Sequence, residues 1–240
     1  MILLSFDVET TGTDTVNDRV IEVGAILYST GQNKCLESAG FLVKSDKPIS
    51  KEITELTGIT SAAVARFGFE SRDALDNIMG MVEMTDAYIG QNVLRFDKKV
   101  LLNWAEREHF VLPEKLWIDT MYDLPGAEPK HLGYMAADHG FLNLFPHSAL
   151  ADCQTVLKLV SMYNIDKVVE RAKSPLIVLQ AHQNRSDNEL AKKRKFRWNP
   201  EGKIWWKPIK EVDLEKIVAE TPFDVSVIKE AKVVENLLNS

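Results

Sequence analysis

The stretch that most constrains this chain is Phe6-Asp7-Val8-Glu9-Thr10-Thr11-Gly12. The apolar run before it, Ile2-Leu3-Leu4-Ser5-Phe6, reads as a buried strand over residues 2–9. Residues two apart on a strand project to the same face. Asp7 and Glu9 therefore stand side by side at the end of that strand. Two like charges so placed repel each other unless a cation sits between them. Oxygen ligands of this kind suit Mg²⁺ or Mn²⁺. Thr11-Gly12 then ends the strand and lets backbone approach a ligand closely. Asp-x-Glu alone is usually a solvated turn, so a metal site needs ligands from distant parts of the chain.

The rest of the sequence supplies a scaffold that could bring such ligands in. Apolar runs at 20–28 and 36–43 read as two more strands, and the short polar connections between the first three strands predict an antiparallel meander. The period then changes. Residues 50–56 read as a short helix with Ser50 as N-cap. A second helix over 71–84 places Ala74, Leu75, Ile78, Met79 and Val82 on one face. Strands are expected at 86–90 and 116–119. Further helices are expected at 97–108, buried through Val100, Leu101, Trp104 and Ala105; at 131–139, ended by Gly140; and at 148–163, buried through Leu150, Cys153, Leu157 and Val160. Three strands followed by alternating helices and short strands give an α/β fold around a mixed sheet.

Three more residues then gain meaning. Asp97 falls in the first turn of its helix, where an acid also serves simply to offset the helix dipole. Asp152 lies off the apolar face of the 148–163 helix. His147 precedes it by five residues, about 140° around a regular helix, so the two cannot aim at one point from mid-helix. With Pro146 before it and Ser148 as the expected N-cap, His147 belongs on the loop leading in, where it is either an ordinary loop histidine or a group facing the same point as Asp152. Four carboxylates (Asp7, Glu9, Asp97 and Asp152) could hold two divalent cations about 4 Å apart, an arrangement that hydrolyses phosphodiesters, with His147 taking the proton of the attacking water.

In these motifs the chain resembles the DEDDh family, the DnaQ-like 3′→5′ exonucleases with an RNase H-like fold. Asp7-Val8-Glu9-Thr10-Thr11-Gly12 matches the first motif, residues 92–97 (Asn-Val-Leu-Arg-Phe-Asp) the second, and His147-Ser148-Ala149-Leu150-Ala151-Asp152 the third. Pro48-Ile49-Ser50 and Gly58-Ile59-Thr60 resemble the family's connecting segment. The likeness covers about residues 1–165 and within the family is greatest to exodeoxyribonuclease X-type proteins of bacteria and phages. It implies that Asp7, Glu9 and Asp152 contact two Mg²⁺ (or Mn²⁺) ions, with Asp97 acting directly or through water. It implies that Thr10, Thr11, Gly12, Asn92 and Phe96 shape the pocket for the 3′-terminal nucleotide, and that mononucleotides leave from a 3′ end, single-stranded DNA being favoured. Gln91 and Thr57 stand where many relatives have His. Neither is a metal ligand, so these departures bear on substrate detail. The rivals are an RNA exonuclease with the same site, a non-catalytic nucleic-acid-binding protein on this scaffold, and an RNase H-like endonuclease or integrase. The retention of all five site residues, the spacing of His147 and Asp152, and the 92–96 segment disfavour the last two.

Charge separates the two ends of the chain. Residues 176–210 carry nine Lys or Arg and three acids, a net +6, so with a total of −6 the remainder carries −12. Ser174-Pro175 marks the boundary between an exonuclease domain over 1–173 and a small α+β module over 174–240. In the module a strand is expected at 176–180, a helix at 187–195, a turn feeding a strand at 196–207 and a closing helix at 213–220. The Arg-Trp-Asn-Pro…Lys-x-Trp pattern resembles a module appended to DNA-processing proteins. Lys192, Lys193, Arg194, Lys195, Arg197 and Trp198 are candidate nucleic-acid contacts, since cations neutralise phosphates and aromatic faces accept unpaired bases. The tryptophans serve equally as the core of a small domain. Two cysteines make neither a disulfide framework nor a metal cluster. The amino terminus passes from Met1 into a strand without a basic region or cleavage site, and no apolar run reaches membrane-spanning length, so a cytoplasmic chain without membrane contact is expected.

Overall fold

The computed structural model describes residues 1–183 and 188–239. Two compact units divide it, Met1–Ala172 and Lys173–Ser240. In the first, strands β1 (Ile2–Thr10), β2 (Val20–Ser29) and β3 (Lys34–Leu42) precede helices α1 (Lys51–Thr57), α2 (Ser61–Phe67) and α3 (Ser71–Met84). Then come β4 (Ala87–Gly90), α4 (Asp97–Arg107), β5 (Leu116–Asp119), α5 (Thr120–Asp123), α6 (Leu132–Asp138), α7 (Ala149–Val160) and α8 (Ile165–Lys173). The sheet order is β3-β2-β1-β4-β5, antiparallel across β1–β3 and parallel for β1–β4 and β4–β5. This is the mixed sheet expected from three meander strands followed by alternating elements.

Strand β1 is central and apolar on both faces. Leu4, Phe6 and Val8 enter one core layer with Leu75 and Ile78 of α3 and Trp104 of α4, while Leu3 enters the other with Cys153 and Val156 of α7 and Val168 of α8. A Cβ at Gly24 of β2 would stand 2.2 Å from the backbone of Ala149, so only glycine lets the start of α7 lie this close to the sheet. Gly24 pairs with Asp7 across β1–β2, which places the helix start directly beside the first carboxylate.

Several expectations need correction. In α3 the buried residue is Met81 rather than Met79, which packs on the flank: Ala74, Ile78 and Met81 make one row of the 3.6-residue period, and Met79 lies 100° away from Ile78. Leu150 is only partly buried: it lies over Gly40 of β3 and packs against the edge of the core. Helix α7 stops at Val160, and Ser148 holds the N-cap position without a side-chain cap bond. Ser50 does cap α1, accepting from Ile53 N. The third strand is shifted to Lys34–Leu42, its Tyr28-to-Cys35 pairing passing a register irregularity.

The second unit has β6 (Leu176–His182), α9 (Asn188–Lys193), β7 (Arg197–Asn199), β8 (Ile204–Lys210), a 3₁₀ turn at Glu211–Asp213, α10 (Leu214–Glu220), β9 (Asp224–Val227) and α11 (Ala231–Asn239). Its antiparallel sheet has the order β7-β8-β6-β9. One sheet face packs Leu179, Ala181 and Ile209 with Ala191 of α9 and Phe196; the other packs Val178 and Trp206 with Leu237 of α11. Arg185, and Asp187 at the expected start of the 187–195 helix, lie outside the described residues. That helix ends at Lys193, and Lys195 takes a left-handed φ of 64°, so Lys192 to Lys195 do not share one helical face. No helix among the described residues is long and apolar enough to cross a membrane.

Gly24→Ala should lower unfolding free energy by about 1–3 kcal/mol, the usual cost of overpacking. Gly80→Ala, in α3 with no atom within 4 Å of the added methyl, should raise it by roughly 0.5–1 kcal/mol. Urea denaturation of both variants measures the contrast.

Candidate active site

The alternation of β1 sends Phe6 and Val8 into the core and leaves Asp7 and Glu9 on the face that α7 covers. Helix α7 is fastened there by Ser5 Oγ, which donates to Cys153 O at 3.3 Å, and by Cys153 Sγ, which donates to Gly24 O at 3.3 Å. Asp152, one residue before Cys153, is thereby delivered to the end of β1. Ligand oxygens of Asp7, Glu9 and Asp152 lie within 4.8 Å of one another. The structure brings these three of the expected four acids into one cluster.

Asp97 stands beside them in a different role. It is buried at the start of α4, and its Oδ1 accepts the Val8 N–H at 3.1 Å. Helix-dipole compensation alone does not account for this bond, which ties α4 to β1 between the two carboxylates. Burial raises every member of the group, and neighbouring acids add to it for Asp7, Glu9 and Asp97. Burial, then Asp97, Asp152, Glu9 and Glu22, hold Asp7 well above the usual carboxylate range. Glu9 is pushed up to about 8 by burial and then by Asp152, Glu22 and Asp97. Asp97 rises to about 7 through burial, against the Val8 bond. Asp152 rises less: burial lifts it, while donors from Asn143 and His147 pull it back.

His147 is exposed and lies on the loop before α7, as expected, with a left-handed φ of 61°. Its backbone N–H donates to Asp152 Oδ2 at 3.1 Å, and Asn143 Nδ2 donates to Oδ1. Asn92 is also left-handed, at φ 54°. Its segment is shaped by Asp119, a buried acid at the end of β5 that accepts from Asn92 N at 2.8 Å, Leu94 N at 3.3 Å and Met121 N at 3.0 Å. Burial lifts Asp119 to about 6. Phe96 is partly buried against the core beside this segment.

The hydroxyls of Thr10 and Thr11 are already used within the chain. Thr10 Oγ1 donates to Gly12 O; Thr11 Oγ1 donates to Asp18 Oδ1 at 3.0 Å and accepts from Arg19 N at 3.0 Å. A Cβ at Gly12 would meet Asp18 Oδ2 at 2.5 Å, so any larger residue there displaces the Asp18 carboxylate that holds Thr11. The two departures from the family pattern have structural uses. Gln91 Nε2 donates to Lys130 O at 2.7 Å and its carbonyl accepts from Thr120 Oγ1. Thr57 Oγ1 donates to Ile53 O at 2.9 Å and accepts from Ile59 N at 3.1 Å.

Sequence reasoning missed Glu22, Asp119 and Asn143. Glu22 pairs with Glu9 across β1–β2, and its Oε2 accepts the Ala149 N–H at 2.9 Å, capping α7 where Ser148 does not. A lone acid inside the apolar 20–28 run was the available signal. Burial, then Asp152, raises Glu22, against the Ala149 bond.

The donor set fits divalent cations: three converging carboxylate oxygens, hard ligands, in a shielded place whose uncompensated charge is costly. In the second unit Trp206 is buried at 3% exposure and serves the core, while Trp198 is 48% exposed on edge strand β7, tilted against Trp205 at 5.6 Å between centroids. Arg197 lies over the Trp206 ring at 5.6 Å, and Lys192, Lys193, Arg194 and Lys195 are exposed.

A family model described as RNase_T, exonuclease, matches residues 4–160. The PolC-type DNA polymerase III of Thermotoga maritima is 30% identical over 115 residues, 48% of this chain and 8% of that protein. The chain thus spans under a tenth of the length of that curated relative. Among solved structures, E. coli Exonuclease I in complex with a dA16 oligonucleotide has a TM-score of 0.65 at 14% identity, over 100% of this chain and 71% of that one. The nuclease domain of 3′hExo, a DEDDh family member bound to rAMP, has a TM-score of 0.56 at 18% identity, over 67% and 90%. Those two likenesses are of fold, the RNase H-like arrangement expected from the sequence.

The raised carboxylates set a pH dependence with a definite sign. In the unfolded chain they ionise near pH 4; in the fold without cations Glu9 and Asp97 keep protons to about 8 and about 7. The folded state then binds more protons, so stability in chelator falls as pH rises through this window. Added Mg²⁺ should raise Tm more at pH 8 than at pH 5.5, measured by scanning calorimetry with and without chelator.

Proposed function

From the premise that this chain belongs to the RNase_T exonuclease family, the DEDDh, DnaQ-like group of 3′→5′ exonucleases, we propose that it removes mononucleotides from the 3′ ends of DNA, single strands favoured. The observation that carries the reading is the convergence of Asp7, Glu9 and Asp152 oxygens within 4.8 Å. The family uses divalent metal ions; two Mg²⁺ (or Mn²⁺) held by these three acids, with Asp97 beside them, are proposed here. Bound there, such ions supply a water of lowered pKa and stabilise charge on the leaving oxygen.

The chain's own residues do the rest. His147 takes the proton of the attacking water. A bond forms between that water's oxygen and the phosphorus, the bond from phosphorus to the 3′ oxygen of the next nucleotide breaks, and that oxygen takes a proton from solvent. Asp97 fixes β1 through Val8, so Asp7 and Glu9 keep their spacing. The backbone around Thr10 to Gly12, with Asn92 and Phe96, forms the pocket proposed for the terminal nucleotide. In the 174–240 module, proposed as a nucleic-acid-binding domain, Trp198 and the exposed cations of residues 192–197 hold the strand upstream; Trp206 is excluded from that role by its burial.

Asp7→Ala should abolish Mg²⁺-dependent release of nucleotides while the far-UV spectrum stays unchanged, and His147→Ala should lower kcat far more than it raises KM. Matched 5′-labelled DNA and RNA oligomers, digested with Mg²⁺, Mn²⁺ or chelator, test polarity, sugar and metal together. Preferential digestion of the RNA would turn the reading to the RNA exonuclease. Replacing Lys192, Lys193 and Arg194 by Ala together with Trp198→Ala should weaken binding of long single strands and reduce the log–log salt slope by about 0.7 per lost phosphate contact, read by fluorescence anisotropy.

A further inference from the structure

The loop of residues 141–147 between α6 and α7 has two sides with opposite chemistry. Two of its residues turn inward to one carboxylate: Asn143 Nδ2 donates to Asp152 Oδ1, and the His147 N–H donates to Oδ2 at 3.1 Å. A turn closed by Ser148 N–H on Phe145 O at 3.3 Å joins the two anchor points. The side chains between and before the anchors are apolar and face solvent: Leu142 is 70% exposed, Leu144 72% and Phe145 68%. Three large apolar groups within four residues leave unused the free energy that burial would return, and contiguous patches of this kind mark contact surfaces.

The chemistry of the loop narrows its occupant. No Lys, Arg, Asp or Glu stands between Asp138 and Asp152, so the patch offers nothing to a phosphate or to a charged protein surface. A stable interface with a second copy needs about 800 Å² a side from roughly 20–30 residues, far more than three side chains provide. The loop is continuous with the carboxylate cluster, since its own anchors hold Asp152. Because the loop is anchored on Asp152, it stands within reach of a base near a 3′ end held at that cluster, and contact with base faces needs no charge and tolerates any sequence.

We propose that Leu142, Leu144 and Phe145 form an apolar rest for an unpaired base of the strand whose 3′ end enters the Asp7–Glu9–Asp152 cluster. This rests on the exonuclease reading above and names the substrate feature it prefers: a base in a duplex is stacked and paired, so only an unpaired end presents its face to the loop.

The test is Leu144→Ser combined with Phe145→Ser in the full chain, with an unchanged Tm expected because both side chains are exposed. Steady-state digestion is measured on an oligothymidylate and on the same oligomer carrying abasic residues near its 3′ end. The variant should raise KM for the base-bearing oligomer about tenfold with kcat within twofold. Wild type and variant should share one KM on the abasic oligomer, because the contact is then already missing. Leu144→Met with Phe145→Trp should restore the wild-type KM. Equal KM values for wild type and the Ser variant on the base-bearing oligomer would overturn the proposal. So would a wild-type dimer in light scattering that the variant loses, because a second copy would then cover the patch. A wild-type chain inert on every oligomer would sink the exonuclease reading itself.

Discussion

Mutual repulsion among carboxylates governs this molecule. Asp7, Glu9, Glu22, Asp97 and Asp152 come from four separate segments and are crowded into one shielded place, where burial raises all five and neighbouring acids further raise Asp7, Glu9, Glu22 and Asp97. Such a group scatters unless something holds it. What holds it is backbone: Val8 N–H on Asp97, Ala149 N–H on Glu22, His147 N–H on Asp152. The first bond ties the second motif to the first, the second ties the start of α7 to β2, and the third closes the His147–Asp152 motif on itself. The repulsion that remains would favour a cation bound among them.

The strand that carries Asp7 and Glu9 was legible because period-two alternation maps directly onto faces, and the meander followed from short polar connections. The bond from Val8 to Asp97 was not, because an acid in a first helical turn has an ordinary explanation and this donor lies 89 residues away. Glu22 and Asp119 escaped for the same reason; their hydrogen bonds span 127 and 27 residues. A charged residue inside an apolar strand was a usable sign for Glu22. Asn143 gave none, since an Asn in a loop near a Gly is commonplace. Ser148 failed as a cap because Glu22 reached the helix start from the neighbouring strand.

The module sets its adjacent tryptophans on opposite sheet faces, as the alternation of β8 requires. Trp205 and Trp206 are adjacent, so they fall on opposite faces of the sheet. One of them, Trp206, closes a small core with Val178 and Leu237. Trp205 lies partly buried under Trp198, its indole N–H donating to Asn188 Oδ1 at 3.1 Å. Composition alone offered core or contact as alternatives; the pleat of the strand sends Trp205 and Trp206 into the cores on opposite faces and leaves Trp198 as the exposed ring.

Left-handed backbone at His147 and Asn92 has a consequence for how this chain can diverge. A non-glycine residue at φ near +60° is tolerated by Asn, Asp and His far better than by β-branched side chains. Drift at these two places is therefore filtered by torsion before chemistry is consulted: Val, Ile and Thr are closed off whatever reaction a descendant runs, while Asn or Gly can slip in at 147, leave the fold intact and remove the imidazole.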